Sequence, residues 1–434
     1  MMTYGLVDCN NFFVSCERLF NPDLNGKAVV VLSNNDGCVI ARSNEAKALG
    51  IPMSCPAFQI REHTREPVVV LSGRHTVYGD LSRRVMAIMG AEVENLEVYS
   101  VDEAFFTLPF DDMECNHVFL AGLVRKIMKW VGLPVSIGFA PTRTLAKIAS
   151  HIAKKDRRIT DSVYWLMRPE AIDIILRRTP VGDVWGIGRR LREALNNRGV
   201  ITAAQFVDMP SSLVRTLFSV TTERTQRELR GEDCVAPSPV TMAHNSIMNS
   251  RTFGHLITKR REVQDAVVVF AKMCAKRLRD EQAVAGTVTV YVRGDRFRQD
   301  VPFYANSCQV RLLTPSASTM TIVSQAMMAF DTIYRDGFGY RKAGVLLGDI
   351  TSDSAVQLNL FERQDQGRQR LLMQAIDNIN SHYGAQVVTL APDNPDGEWR
   401  PEHNHKQQGS RTMRIYTGMQ RVREEDGIKV ALEP

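Results

Sequence analysis

Asp8, Asp102 and Glu103 are the residues whose type and placement could do chemistry. Asp8 ends the apolar, β-prone run Tyr4-Gly5-Leu6-Val7, and Asp102-Glu103 begins 94 residues further on, within Tyr99-Ser100-Val101-Asp102-Glu103-Ala104-Phe105-Phe106. A strand edge in each segment can aim its acid at a shared point. Three carboxylates so placed predict a divalent-metal site, because hard Mg2+ takes oxygen ligands at about 2.0–2.1 Å and commonly shares them with substrate phosphates. Two such ions about 3.5–4 Å apart clamp the attacking and leaving oxygens of an in-line displacement. An Asp-Glu pair taken alone is far more often a solvated turn than a catalytic pair, so the elements around it must decide.

Those elements belong to a chain of 434 residues, more than one hydrophobic core usually organises. Its 44% hydrophobic and 24% charged residues are those of an ordinary water-soluble protein. There is neither a long apolar run nor a signal peptide before the first strand, so a cytoplasmic protein is expected. Eight scattered cysteines, never spaced as CxxC, argue against a zinc ribbon and a disulfide framework, and His403 with His405 reads as a solvated loop. The net charge of +6 is concentrated: residues 241–350 hold fifteen Lys/Arg against nine Asp/Glu. That is the footprint of a module that tracks phosphates, or of a solvated charged face.

Along the chain, strands at 4–8 and 28–32, a helix over 11–20, and strands around 96–108 and 134–139 describe an α/β unit, with Val101 to Glu103 at the tip of a hairpin. A turn there can bring adjacent acids to one edge, which a straight strand cannot. After Pro141, Leu145, Ile148, Ala149 and Ile152 form the buried stripe of a helix. Lys147, His151 and Lys154 recur on another face, a row that suits a triphosphate or plain solvent equally. Short helices follow over 168–232, then a Pro-bearing linker from Cys234 to Pro239. A helix over 262–282 and the alternating strand Thr287 to Arg293 open an α+β domain.

Asp8-Cys9-Asn10-Asn11-Phe12-Phe13-Val14-Ser15-Cys16-Glu17, Ser100-Val101-Asp102-Glu103-Ala104-Phe105 and Gly138-Phe139-Ala140-Pro141-Thr142-Arg143-Thr144-Leu145-Ala146-Lys147 resemble the signature segments of Y-family translesion DNA polymerases. The likeness spans roughly residues 1–361 and is greatest to the UmuC subgroup, the catalytic subunit of bacterial DNA polymerase V. It implies an α+β multidomain right hand: a ferredoxin-like palm (1–30 and 75–165), small fingers (31–74), a helix-hairpin-helix thumb (166–232), a linker (233–242), an α+β little finger (243–350), and a C-terminal tail with a clamp-binding peptide (351–434).

The resemblance implies an error-prone, DNA-directed DNA polymerase of the SOS response, using two Mg2+ ions to join a dNTP to a primer 3′-hydroxyl. Asp8, Asp102, Glu103 and the Cys9 backbone carbonyl would hold the metal. Phe12, Phe13, Arg42, Asn44, Lys47 and Lys154 would meet the nucleotide, with Phe13 as the steric gate against ribose or, alternatively, a core aromatic. Many relatives carry Tyr where this chain has Asn44. Gly186, Gly188, Arg189 and Arg190 would contact DNA phosphates through a tight turn at a helix start, unless that turn is only structural. Gln357, Leu358, Leu360 and Phe361 resemble the peptide that docks in a sliding clamp, or form a short strand. A UmuD′ dimer and a RecA filament are the further partners implied. Leu371, Leu372, Ala375, Ile376 and Ile379 mark an amphipathic helix, and 392–412 reads as a polar, mobile stretch. The competing functions are a nucleotide cyclase on a similar palm and a DNA-binding scaffold whose site has decayed.

Overall fold

The computed structural model describes residues 2–109, 113–155, 161–235, 245–355, 366–383, 387–390, 397, 399–400 and 405. They form two compact units, the first drawn from residues 1–33 and 37–240 and the second mainly from 241–404.

In the first unit a five-stranded sheet carries the two acid segments. Strand β1 (Met2–Cys9) lies at its centre, antiparallel to β6 (Glu103–Pro109) and β7 (Val135–Ala140). β5 (Glu94–Val98) pairs β6 as a hairpin and β8 (Val163–Trp165) closes the far edge, in the order β5-β6-β1-β7-β8. The period of two sorts the side chains by face. Val7, Phe106 and Ile137 pack beneath α4 (His75–Glu92) and α5 (Met113–Val131), while Leu6 and Phe105 pack with α6 (Arg143–Lys155) and the helices that follow it. Gly138 makes the β7–α6 approach possible: a Cβ there would stand 2.0 Å from the Ser150 amide nitrogen and 2.4 Å from the Ala146 carbonyl.

A smaller sheet, ordered β3-β2-β4, joins β2 (Ala28–Leu32), β3 (Val39–Arg42) and β4 (Val68–Ser72). It begins at Ala28, inside the 1–30 stretch that the sequence division gave to the palm. The reason lies in the strand's alternation: Val29 and Val31 enter the large-sheet core while Val30 and Leu32 enter the core of the small one. Helix α2 (Asn44–Ala48) follows β3, started by Ser43, whose hydroxyl accepts from the Ala46 amide at 3.1 Å. Arg18 of α1 (Phe12–Phe20) ties α2 down through Glu45 at 2.9 Å.

Short helices α7 (Pro169–Arg178), α8 (Arg189–Asn196), α9 (Ala203–Asp208), α10 (Ser211–Leu217) and α11 (Val220–Leu229) complete this unit. Glu228 of α11, fully buried, accepts from the Thr144 amide at 3.1 Å, so an acid caps the positive end of α6.

The second unit is a four-stranded antiparallel sheet, β11-β10-β12-β9, of β9 (Ser246–Ile257), β10 (Ala283–Arg293), β11 (Ala305–Ser316) and β12 (Tyr340–Ser352). Val288, Val290 and Val292 face α12 (Arg260–Asp280) and α13 (Thr319–Ile333), as their alternation predicts. Trp399, within the 351–434 stretch read as a tail, contributes to this core. Trp399, from the stretch read as polar and mobile, is 2% exposed and meets Phe270 edge-on at 5.6 Å. Its indole area outweighs the polar residues around it in the sequence. Helix α14 (Gln366–Tyr383) buries Met373, leaving Leu371, Leu372 and Ile379 exposed. The clamp peptide Gln357 to Phe361 lies outside the described residues.

Candidate active site

Asp8 and Glu103 stand directly opposite each other on adjacent strands, so both carboxyls emerge on one face. They share a hydrogen bond. The hairpin turn supplies Asp102 beside them: its backbone carbonyl accepts from the Cys9 amide at 2.8 Å. The Asp102 carboxylate takes the Ser100 hydroxyl at 2.6 Å. The structure thus brings Asp8 and Glu103 together and places Asp102 on the same cleft with its carboxylate engaged locally. Among the described residues no group of three or more acid, His or Cys side chains is placed so that it could hold a metal ion.

Two ammonium groups stand on the acids. Lys154 donates to Oδ2 of Asp8, and Lys147 donates to Oε2 of Glu103 at 2.7 Å. The cationic row on α6 therefore faces the acids at Lys147 and Lys154, while His151 is exposed. Burial dominates at Asp8 and, despite Lys154, pushes its carboxyl up to about 7. At Glu103 burial acts in the same direction, but the hydrogen bond to Asp8 and the Lys147 ammonium outweigh it and hold the carboxyl below its ordinary range. Cys9 points into the large-sheet core, and burial pushes its thiol well above the ordinary range.

The acids floor an open cleft of about 290 Å³, walled by Asn11, Phe12, Phe13, Arg42, Lys47 and Lys154 among others. Phe13 lies half-buried with its ring stacked on Tyr78 at 4.5 Å and 19°. Tyr78 donates to the buried Glu17 carboxylate at 2.6 Å, and Arg74 pairs with the same acid. Phe12 is only 4% exposed, so it supports Phe13 from the core. Arg42 donates to the Ile51 carbonyl, while its buried Nε has no hydrogen-bond partner among the described residues. Lys47 donates to Asn11 Oδ1 at 2.6 Å, and Asn11 donates to Asn44 Oδ1 at 3.0 Å. Asn11, in the left-handed conformation at φ 47°, thereby ties the start of α1 to α2; neither its role nor those of Lys147, Tyr78 and Glu17 was among the sequence's site residues. For Lys147 the seven-residue spacing to Lys154 was the available signal.

Further along the same unit, Gly186 adopts φ 89°, Ile187 plugs into the core, and Gly188 starts α8. Arg189 and Arg190 follow, both exposed. In the second unit the sheet face opposite the helices presents Arg293, Arg311 and Lys342, with Lys342 over the Tyr291 ring at 5.9 Å.

A palm-like sheet with acids on its central strand and adjoining hairpin, a small second sheet bearing cations, and a hairpin between helices define a Y-family DNA polymerase. The comparisons agree. A chimera of the Y-family polymerases Dbh and Dpo4 superposes with a TM-score of 0.61 at 18% identity, covering 81% of this chain and 100% of that one. An insertion ternary complex of Dbh DNA polymerase gives a TM-score of 0.54 at 19% identity, with the same coverage. Family models match residues 7–151 (impB/mucB/samB family), 169–200 (its HHH motif) and 244–360 (its C-terminal domain). Protein UmuC of Salmonella typhimurium is 40% identical over 91% of this chain and 94% of its own length. Protein ImpB of Salmonella typhimurium is 38% identical over 92% and 94%, and DNA polymerase IV 2 of Bacillus subtilis 28% identical over 89% and 93%. The chain belongs to the impB/mucB/samB family of Y-family, UmuC-type translesion polymerases. It is an error-prone DNA-directed DNA polymerase, a class that uses divalent metal, DNA and dNTP. No described helix is long and apolar enough to cross a membrane.

Proposed function

We propose that Asp8, Asp102, Glu103 and the Cys9 backbone carbonyl hold two Mg2+ ions, at which this chain joins a dNTP to a primer 3′-hydroxyl opposite damaged template bases. The observation that carries it is the facing of Asp8 and Glu103 on neighbouring strands at the floor of a cation-walled cleft. The donor set fits a hard divalent cation: it is all oxygen, and Lys154 and Lys147 already stand in for positive charge at Asp8 and Glu103. Magnesium bound there would supply Lewis acidity, making the hydroxyl a better nucleophile and offsetting charge on the phosphates.

The chain's own residues do the rest. Lys47, Lys154 and Arg42 offset the triphosphate's charge, and Phe13, held against Tyr78, sets the floor under the sugar. The Gly186-Ile187-Gly188 turn offers amides to a phosphate, and Arg189, Arg190 and the open face bearing Arg293, Arg311 and Lys342 add charge; such contacts position a duplex without reading its sequence. Gln357, Leu358, Leu360 and Phe361 form the clamp-docking peptide, and a UmuD′ dimer and RecA are the partners of a cytoplasmic SOS polymerase of this kind. Primer extension with Mg2+ across a template lesion tests the reading. Asp102→Asn should abolish extension and leave DNA affinity intact, because a carboxamide lacks the charge that holds the ion; retained extension removes Asp102 from the site.

A further inference from the structure

We infer that Lys147 is a positioning residue for Glu103, and that it is itself held by an aromatic box whose far wall, Trp185, belongs to the hairpin proposed to grip DNA. The inference rests on the reading above, in which Glu103 serves the reacting site.

Three segments distant in sequence build the box. Tyr99 comes from the acid-bearing hairpin, Lys147 from α6 and Trp185 from the loop before α8. The Lys147 ammonium lies 4.4 Å from the Tyr99 ring centroid and 5.1 Å from that of Trp185, and donates to Glu103 at 2.7 Å. The two rings meet edge to face at 5.6 Å and 89°, and the Trp185 indole N–H donates to the Tyr99 hydroxyl at 3.2 Å. Phe105 backs both rings, at 5.8 Å from Tyr99 and 5.9 Å from Trp185. The electron-rich faces attract the ammonium while its hydrogen bond goes to the carboxylate, so the cation's place depends on both rings keeping theirs.

Each wall has its own anchor. Tyr99 is fixed to the site because the Tyr99 and Ser100 amides both donate to the Glu103 carbonyl at 3.0 Å. Trp185 is fixed by its neighbours in the chain: Val184 and Ile187 are buried and Gly186 takes the left-handed conformation. The same short loop that sets the indole therefore carries Gly186 and Gly188, with Arg189 and Arg190 next. A shift of that loop moves the indole, the indole moves Lys147, and Lys147 moves the carboxylate. Simple charge neutralisation would need only the Lys147–Glu103 pair; the two ring walls are what a positioning role adds.

The test uses the full-length chain on primer-template DNA, with Lys147→Met, Lys147→Arg, Trp185→Leu, Trp185→Phe and the Lys147→Met/Trp185→Leu double variant. Lys147→Met and Trp185→Leu should each lower kcat for single-nucleotide insertion about tenfold, with KM for dNTP and DNA Kd nearly unchanged, as expected when binding is intact and positioning is lost. Lys147→Arg and Trp185→Phe, which keep a cation and a ring face, should recover most of the rate. The double variant should be no worse than either single one, because both break the same connection. Independently of turnover, adding Mg2+ alone to the DNA-bound chain should change tryptophan emission in the unsubstituted protein and leave Trp185→Phe and Lys147→Met unresponsive. Additive losses in the double variant, or a defect confined to DNA Kd, would overturn the inference. Glu103→Gln separates the levels: an active Glu103→Gln sinks the underlying reading, whereas an inactive Glu103→Gln beside a normal Lys147→Met sinks only this one.

Discussion

The Lys154 ammonium, in the last turn of α6, is seated on Oδ2 of Asp8, at the end of the central strand. A cation assigned by the sequence to the triphosphate thus rests on a carboxylate assigned to metal. The two roles are compatible if the lysine exchanges one oxygen anion for another when nucleotide arrives. Lys154→Ala should then raise KM for dNTP about ten- to a hundredfold, the worth of one charge-assisted hydrogen bond, and leave DNA Kd unchanged. Steady-state insertion and DNA anisotropy check it; an unaltered KM would leave the lysine tied to Asp8 alone.

The raised Asp8 carboxyl links folding to pH. Burial lifts it from 3.8 to about 7, so between those values the folded metal-free chain keeps a proton that the unfolded chain has released. The associated stability is complete below the unfolded value and is lost as pH rises through about 7. Without metal, Tm should fall across that window in the native chain and much less in Asp8→Asn. Mg2+ affinity should rise over the same range, because the ion must displace that proton. Calorimetry of both proteins with and without Mg2+ reads each effect.

Phe13 has its ring stacked on Tyr78 within the cleft, where it can meet a sugar from below. Phe13→Ala should increase ribonucleotide incorporation relative to deoxynucleotide by about ten- to a hundredfold, the release of a steric clash of about 1–3 kcal/mol. Competition between ATP and dATP on one template measures it. Unchanged sugar preference would return Phe13 to a purely structural place.

Gly138 permits α6 to lie on β7, and Gly138→Ala would drive a methyl into the Ser150 amide and Ala146 carbonyl. Backbone cannot yield as a flexible side chain does, so a loss of about 1–3 kcal/mol or more is expected, seen as a lower Tm. Insertion should slow as well, since α6 carries both Lys147 and Lys154. A variant as stable as the native chain would contradict the close approach.

Much of this was legible beforehand because it is local. The strand ending at Asp8, the hairpin at Asp102-Glu103 and the helix after Pro141 each follow from a short run of alternation or stripe. What escaped is what depends on partners remote in sequence. Asn11 bridging Lys47 and Asn44, Glu228 capping α6, and Trp185 walling Lys147 carry no periodic signature. Trp399 was missed for the opposite reason: one large aromatic found a core although its neighbourhood is hydrophilic. The boundary near Ala28 blurred because one valine run serves two cores.

Glu17 does not line the cleft, yet its carboxylate, 1% exposed, is where Arg74 and Tyr78 converge beneath the Phe13 ring. A charge so enclosed is stable only while both partners stay paired with it. With Phe13 in the steric-gate role proposed above, the choice between deoxyribose and ribose would lean on an ion pair at the back of the wall. Damage there would show first in the product's sugars, before it showed in the speed of synthesis.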